Sequence, residues 1–433
     1  MSPSTEGAIV RKSTRSMSVL AACVVIVAAA CNAASAAGRA DQAARVPLAR
    51  QCRDWVTPAT GAAVSGQPPS ARDAFLADHC LHLNQVQVIG THNSYHVQPQ
   101  EPIFSALKSF DAALAASLEY SHPKLSEQFN KEGVRQIELD VFADPQGGRY
   151  SFRHLLPALG LPGDSGVAAL KKPGFKVFHV QEIDFLSSCG WTFVACLQQV
   201  KHWSDAHPHH LPITILVELK DTAIPDPLNL GFTQPLPIAA PELNALDGEI
   251  RSVFRAHDLI TPDDVRGHAA TLEEAVLGHG WPTLGESRGK VMFLMDNSDA
   301  HRDNYLAGHP SLRGRVLFTN ARPGEADAAF VEHNDAAGAT NIAEIQDLVR
   351  RGYVVRTRSD ADTKEARTND TATRDAAIAS GAQWVSTDYP VPGIASAMFG
   401  TDYVAQIPGG DPARCNPINT GPSCLNNALE RLP

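Results

Sequence analysis

The chain has 433 residues, of which 43% are hydrophobic and 19% are charged, a composition that can bury a large core and is not that of a disordered chain. Its formal net charge of -10 argues against general attraction to nucleic acid or to an anionic membrane. Any phosphate binding must therefore come from local positive groups or from a metal ion.

The N-terminal 36 residues have the features of an export signal. A basic start precedes an apolar run at residues 18–30, and small residues at 34–36 offer a cleavage site. The apolar run is short for a membrane span. The sequence therefore predicts a secreted or periplasmic protein without a transmembrane span, and lipid attachment through Cys31 is the alternative. Residues 37–69, rich in Ala, Gly, Ser and Pro, are expected to form a flexible leader.

Six cysteines remain once the predicted signal is removed. An even number of cysteines in an exported chain suggests three disulfides. The cysteines form three pairs that are close in sequence, so the simplest of the fifteen possible pairings joins neighbours, and six free buried thiols are the alternative. The predicted pairs are Cys52–Cys80, Cys189–Cys196 and Cys415–Cys424.

Short apolar runs alternate with helical stretches along the rest of the chain. The runs are rich in Val, Ile, Leu or Phe, as expected of strands that are buried on both faces. They lie at residues 85–90, 134–141, 175–179, 213–219, 290–295, 315–319, 353–358 and 383–386. Apolar residues at helical spacing and terminal glycines predict helices at residues 192–207, 241–254, 341–351 and 371–380.

This alternation predicts an α/β fold, a TIM-type (β/α)8 barrel that forms a single catalytic domain over residues 70–400. An open doubly wound sheet is the alternative, but the first strand is not followed by the Gly-rich phosphate loop typical of that fold. Residues 401–433 are expected to form a tail, stapled by a disulfide, that packs on the barrel.

Acidic residues occur inside two of the predicted strands, near the strand ends where β/α barrels place their active sites. Glu138 and Asp140 are two residues apart, so a strand points both to one side, and Glu218 is a single acid in an apolar strand. Buried carboxylates that converge repel each other unless a cation or proton joins them. The alternative is that Glu138 and Asp140 form internal salt bridges with Arg135 or Lys220.

Two histidines and an asparagine lie at the ends of predicted strands as well. With the amide oxygen of Asn93, the three acids form an all-oxygen set that suits calcium or magnesium. His92 and His179, on different strands beside these acids, are better explained as acid/base or charge-stabilising groups than as packed residues. Three other histidines belong to a polar helix end and are expected at the solvated surface: His207, His209 and His210.

These motifs resemble those of the phosphatidylinositol-specific phospholipases C, in particular the bacterial, calcium-dependent branch. The run Gly-Thr-His-Asn-Ser-Tyr at residues 90–95 is similar to the opening motif of that family, and residues 134–141 are similar to its second motif. The resemblance extends from residue 83 to about residue 390, through Asp296, Asn297 and the closing run 386–390. It implies a PLC-like phosphodiesterase barrel.

The resemblance also implies roles for individual residues. The two catalytic histidines of the family correspond to His92 and His179. Its calcium ligands correspond to Asn93, Glu138, Asp140 and Glu218, and Glu138 serves in addition as the base. Its contacts with the substrate phosphate or inositol are matched less closely, by Lys220, Arg356 and Arg358.

The implied activity is calcium-dependent cleavage of phosphatidylinositol, at a membrane surface, to diacylglycerol and an inositol (cyclic) phosphate. Calcium is expected rather than magnesium, and a monomer is expected. His92 would stabilise the five-coordinate phosphorus and His179 would protonate the leaving oxygen. Two alternatives stay open. The first is a glycerophosphodiester phosphodiesterase, although His92-Asn93 stands where such enzymes have His-Arg; the second is a catalytically inactive barrel that binds lipid headgroups, although none of the expected site residues is missing.

Overall fold

The computed structural model describes residues 48, 50–53, 70–278 and 280–430. The predicted signal at residues 1–36 and most of the predicted leader at residues 37–69 lie outside these ranges. The chain divides into two compact units, Met1–Arg53 and Asp54–Pro433. In the first unit, residues 50–53 are helical. The second unit contains the barrel.

Within the described ranges, eight parallel strands close into a barrel in which each strand pairs with its neighbour along the chain. The last strand pairs with the first, and the fifth and sixth are joined by the bridge between Asn320 and Phe330. The strands are β1 (Val86–Thr91), β2 (Gln136–Phe142), β3 (Ile213–Leu219), β4 (Val291–Met295), β5 (Leu317–Thr319), β6 (Phe330–Asp335), β7 (Val354–Arg358) and β8 (Trp384–Thr387). The predicted TIM-type barrel is therefore confirmed.

Helices surround the barrel, and the four predicted helices are present within two residues of their expected bounds. Thr192 begins one of them by accepting a hydrogen bond from the Ala195 amide, and Gly352 ends another in the left-handed conformation with φ 104°. The helices are Ala71–Cys80, Ile103–Phe110, Ala112–Ser117, Leu125–Lys131, Leu155–Ala158, Phe193–Ala206, Ala240–Val253, Pro262–Arg266, Leu272–Leu277, Leu284–Ser287, Ala300–Leu306, Ala339–Arg351, Lys364–Thr368, Ala372–Ser380 and Ile394–Phe399.

One predicted barrel strand is wrong and one real strand was not predicted. The run at 175–179 contains only the two-residue strand Lys176–Val177, which pairs antiparallel with β2 outside the barrel. The missing barrel strand is β6, and its residues after Val331 are all polar. The sequence did not predict this strand because a search for apolar runs passes over strands whose residues are mostly polar.

Tight packing of β1 against β2 depends on Gly90. This residue lies opposite Gln136 in the register of the two strands, and a Cβ atom on Gly90 would come within 1.8 Å of the Gln136 side-chain oxygen. Only glycine allows this approach. The motif that begins at Gly90 is therefore placed directly beside the acidic strand β2.

Two of the three predicted disulfides are confirmed. Disulfides join Cys189 to Cys196 and Cys415 to Cys424, and Cys52 and Cys80 are each disulfide-bonded as well. The Cys415–Cys424 disulfide belongs to the tail, in which the strand Ala413–Cys415 pairs antiparallel with β1. The tail is thus attached to the barrel through backbone hydrogen bonds.

The surface prediction for His210 is wrong. This residue is buried, its Nε2 lies 2.8 Å from the Ser204 hydroxyl, and its Nδ1 contacts the Leu211 carbonyl. It is buried because the chain turns into β3 directly after it. Across the described ranges, every helix is too short or too polar to cross a membrane.

Candidate active site

Three predicted metal ligands converge at the carboxyl ends of β2 and β3. The register of these strands pairs Asp140 with Glu218, and Glu138 lies two residues before Asp140 on the same side of β2. Donor oxygens of the three carboxylates lie within 4.8 Å of one another. Both oxygens of Asp140 are buried; Oδ1 has no partner, and Oδ2 has only the Lys220 ammonium at 3.3 Å. Buried carboxylate oxygens without hydrogen bonds are what a cation site of hard oxygen donors presents before the ion binds.

Lys220 lies across two of these acids. Its ammonium nitrogen is 2.9 Å from Glu218 Oε1 and 3.3 Å from Asp140 Oδ2. Burial alone would lower the pKa of Lys220, but the two carboxylates raise it above its usual value. The internal salt bridge named above as the alternative is therefore present between Asp140 and Lys220. Glu138 pairs with Arg356 instead, and the guanidinium of Arg135 binds Glu430 at 2.6 Å.

Arg356 is bound to side chains of the protein rather than open to a substrate. Its guanidinium lies 2.5 Å from Glu138 Oε2 and 2.9 Å from Glu332 Oε1, and it also contacts Asn334. Its Nε donates to the Ser386 hydroxyl at 3.2 Å. Burial raises the pKa of Glu138 to about 7, and Arg356 opposes this shift. Arg356 thus fixes the orientation of Glu138.

Arg358 and Asn93 lie at the same end of the barrel. Arg358 donates a hydrogen bond through Nε to the Asp360 carbonyl at 3.0 Å. Burial alone would lower the pKa of Arg358, but the negative charges of Asp388 and Glu138 raise this pKa above its ordinary value. Asn93 follows β1 with a left-handed φ of 42°, a conformation that Asn tolerates better than most residues. Its Oδ1 accepts a hydrogen bond from the Tyr95 hydroxyl at 3.3 Å.

His92 lies beside the acids, as predicted. Its Nε2 is 3.8 Å from Glu138 Oε1, and its Nδ1 is 3.3 Å from Asp388 Oδ1. Burial lowers the pKa of His92 to about 3, with Asp388 acting in the opposite direction. His122 approaches the same Asp388 oxygen at 3.4 Å. His92 is therefore a neutral imidazole held by a carboxylate on one side and facing Glu138 on the other.

His179 contacts a different carboxylate. Its Nδ1 lies 2.8 Å from Asp184 Oδ2, and the same oxygen lies 2.8 Å from His96 Nε2. The His96 ring stacks on Tyr120 with ring centroids 4.0 Å apart, and the Tyr120 hydroxyl lies 3.4 Å from His92 Nδ1. A continuous set of rings therefore connects the two predicted catalytic histidines.

A second carboxyl pair, Asp296 and Glu332, lies near the first cluster. Burial and the neighbouring Glu332 raise the pKa of Asp296 to about 9, so the pair holds a proton at neutral pH. Asn320 joins their strands, donating to the Asp296 carbonyl at 2.9 Å and accepting from the Glu332 amide at 3.1 Å. The carboxyl end of the barrel therefore holds a second pair of acidic side chains beside the predicted metal ligands.

Several residues of the site were not predicted from the sequence. Asp388 directly follows β8, so its position at a strand end was a usable signal. Asp184, His96 and Tyr120 lie in connections between strands, where periodicity gives no signal, and Glu332 lies on the strand that was missed.

A parallel barrel with converging carboxylates, a partly buried lysine and histidines at the carboxyl ends of its strands defines a metal-dependent barrel enzyme. The sequence matches the family described as phosphoinositide phospholipase C, Ca2+-dependent, over residues 81–417. The chain belongs to this family, whose calcium dependence agrees with the all-oxygen donor set of Glu138, Asp140 and Glu218.

Three solved structures to which this chain is similar are described as phospholipases C. A calcium-dependent phosphoinositol-specific phospholipase C from Pseudomonas sp. is 17% identical, with 80% of this chain and 99% of that chain covered and a TM-score of 0.45. A Ca2+-dependent phosphatidylinositol-specific phospholipase C from Streptomyces antibioticus is 18% identical, with 72% and 95% covered and a TM-score of 0.43. A phosphatidylinositol-specific phospholipase C from Listeria monocytogenes is 13% identical, with 72% and 90% covered and a TM-score of 0.38. A comparison with curated proteins gave no significant match.

Proposed function

We propose that this chain uses the site at the ends of β1, β2 and β3 to cleave the phosphodiester of phosphatidylinositol, releasing diacylglycerol and an inositol phosphate. The observation that carries the proposal is Asp140, which is fully buried beside Glu138 and Glu218. Its Oδ1 has no partner, and its Oδ2 has only the Lys220 ammonium at 3.3 Å. The single charge of Lys220 is shared between Asp140 and Glu218, so a bound cation would offset the negative charge that remains.

The predicted ligands fit calcium because they are all oxygen donors and three of them are acids. Asn93, Glu138, Asp140 and Glu218 would hold the ion. When bound, calcium would lower the pKa of a coordinated hydroxyl and neutralise charge on the phosphoryl oxygens. Lys220 lies against two of these acids, so it is placed to contact a phosphate bound at the same position.

Glu138 is proposed to act as the general base. Its Oε2 is held by Arg356, which leaves Oε1 on the side of His92. Oε1 can therefore accept a proton from a hydroxyl group bound beside it. The inositol 2-hydroxyl would give its proton to Glu138 as its oxygen attacks the phosphorus.

The two histidines are proposed to act on the other oxygens of the phosphodiester. His92 donates its Nδ1 proton to Asp388, so its Nε2 can donate to a phosphoryl oxygen only after taking up a proton. The negative charge of a bound phosphodiester favours that proton. His179 would transfer its Nε2 proton to the oxygen of the departing diacylglycerol.

The catalytic proposal is tested by measuring diacylglycerol release from phosphatidylinositol vesicles in calcium and in chelator. The wild-type chain should require calcium, and Asp140→Asn should lower the rate by roughly 100-fold or more because the ion loses a ligand. Glu344→Gln, which alters an exposed carboxylate paired with His333, is the matched control. Undiminished release by the Asp140→Asn variant would contradict the proposal.

We also propose that the barrel mouth contacts the lipid surface through exposed apolar side chains. Phe110, Phe152 and Leu228 are exposed and follow β1, β2 and β3, and Phe110 is 77% exposed. The helix after Phe110 is tied to the segment that follows β7 by a hydrogen bond from Thr363 to the Ala116 carbonyl, 2.8 Å long. These side chains therefore belong to the carboxyl end of the barrel, where apolar groups suit contact with a membrane.

This surface is tested by vesicle sedimentation. Phe110→Ser should weaken binding to phosphatidylinositol vesicles by roughly 30-fold, since burying an aromatic ring contributes about 2 kcal/mol. Phe75→Ser, a change at a phenylalanine that is 48% exposed in the helix that precedes β1, should leave binding unchanged. Equal effects of the two substitutions would contradict the proposed orientation.

Export is part of the same proposal. The Cys189–Cys196 and Cys415–Cys424 disulfides support an oxidising compartment, where such bonds persist. The predicted signal lies outside the described residues. N-terminal sequencing of the mature protein should find a start close to residue 37, and retention of the apolar run would contradict signal removal.

A further inference from the structure

We infer that Asp184 and His96 form a positioning pair that holds His179 in the orientation and tautomer required of the general acid. The inference rests on the proposed function, in which His179 protonates the leaving oxygen. It extends that function to two residues that do not meet the substrate.

The pair is defined by one shared oxygen. Asp184 Oδ2 lies 2.8 Å from His179 Nδ1 and 2.8 Å from His96 Nε2. The side chains of Asp184 and His96 are fully buried, whereas the side chain of His179 is 22% exposed. His179 is therefore the member of this trio that a substrate can reach.

The hydrogen bond selects the tautomer of His179. An ionised carboxylate only accepts hydrogen bonds, so both imidazoles donate to Asp184. His179 Nδ1 therefore carries a proton that it donates in the hydrogen bond to Asp184. Nε2 is the nitrogen that exchanges a proton with the substrate. Without Asp184, either nitrogen could carry the proton and the ring could rotate.

The charge of Asp184 is maintained by its surroundings. Burial raises the pKa of Asp184, but His96 and His179 lower it to about 2. Arg153, a buried cation whose guanidinium lies 3.4 Å from the centroid of the Phe185 ring, adds positive charge near the same carboxylate. An ionised Asp184 stabilises the imidazolium of His179 until the proton leaves.

The proton balance of the step is complete. As the bond between phosphorus and the diacylglycerol oxygen breaks, the Nε2 proton of His179 passes to that oxygen and the imidazolium becomes neutral. The Nδ1 proton stays on the hydrogen bond to Asp184. The proton that Glu138 takes from the attacking hydroxyl restores the protonation of the site after the products leave.

The backbone around Asp184 fixes this geometry before substrate binds. Val180 and Asp184 exchange two backbone hydrogen bonds, of 2.9 and 3.0 Å, that close a tight loop. At its tip, Glu182 has a left-handed φ of 75°, and its carboxylate accepts hydrogen bonds from the His154 and Thr233 amides at 2.6 and 3.0 Å. A positioning carboxylate on a loop anchored in this way is preorganised.

The experiment compares two substrates that share the inositol phosphate and differ in the leaving group. One is a short-chain phosphatidylinositol with an alkoxide leaving group, and the other carries nitrophenolate, which leaves without a proton. Asp184→Asn should lower kcat at least about tenfold on the first substrate and less than about threefold on the second, with KM nearly unchanged. His96→Asn should show the same selective loss to a smaller extent.

The ratio of the two rates, measured in one preparation, does not depend on how much of the variant is folded. Glu344→Gln is the matched control and should keep the wild-type ratio. In a His179→Ala background, Asp184→Asn should cause no further loss on either substrate. Equal losses on both substrates, or no loss, would overturn the positioning role. A wild-type chain that cleaves neither substrate would instead refute the proposed function.

Discussion

Lys220 places a positive charge beside two of the proposed calcium ligands. Its nitrogen lies within 3.3 Å of oxygens of both Asp140 and Glu218, so an arriving cation meets a charge that repels it. The lysine neutralises part of the acid cluster before the ion binds. The same position suits a contact with the substrate phosphate.

Lys220→Met should therefore raise calcium affinity by roughly tenfold, because one repulsive charge is removed, while it lowers the turnover number. Titration calorimetry and initial rates at saturating calcium measure the two effects. Lys364→Met, which removes an exposed lysine beside Asp362, is the control. Weaker calcium binding by Lys220→Met would show that the lysine supports the ligands rather than competes with the ion.

Arg356 is the residue for which the predicted role and the structure differ most. Its guanidinium joins Glu138 and Glu332 and is 2% exposed. Removing it leaves buried carboxylates unpaired, so Arg356→Met should lower the free energy of unfolding by about 3–5 kcal/mol. Urea unfolding measures this loss. A variant of wild-type stability with a raised KM would instead support the predicted substrate contact.

At the scale of elements, the sequence predicted the strands that carry the acids better than the strands around His179 and Glu332. The alternation of Glu138 and Asp140 with apolar neighbours is a local pattern, so the face they share could be predicted from the sequence. His179 lies beyond a two-residue strand outside the barrel, and its partner Asp184 is placed by a loop closed through backbone hydrogen bonds. Such contacts depend on tertiary packing and leave no periodic signal.

The junction between the helix Phe193–Ala206 and β3 contains a buried, neutral histidine. Burial lowers the pKa of His210 to about 4 from 6.5. Between these values the unfolded chain binds a proton that the folded chain does not, so the free energy of unfolding falls as pH decreases through this window. The contribution is fully present above pH 6.5 and is lost toward pH 4.

His210→Gln should therefore reduce the acid sensitivity of the fold. Between pH 7.5 and 4.5 the wild-type chain should lose roughly 2 kcal/mol more stability than the variant, as measured by urea unfolding at both pH values. His209→Gln, at an exposed neighbouring position, is the control. Identical pH dependence of wild type and His210→Gln would show that His210 is not held neutral.

For the whole molecule, the barrel decides which residues meet. Parallel pairing from β1 round to β8 brings residues separated by almost 300 positions, such as His92 and Asp388, within 3.3 Å. The sequence showed the residue types and the barrel, but not that Arg356 would pair with Glu138 or that His96 would share Asp184. Those pairings follow from the strand order and the packing of connections at one end.

Calcium titration by calorimetry, on the wild-type chain and on a Glu138→Gln, Asp140→Asn, Glu218→Gln triple variant, tests the cation site most directly. We expect one calcium ion per wild-type chain and no binding by the triple variant, because an oxygen site without its charged ligands has little affinity for a hard cation. Unchanged calcium binding by the triple variant would contradict the site.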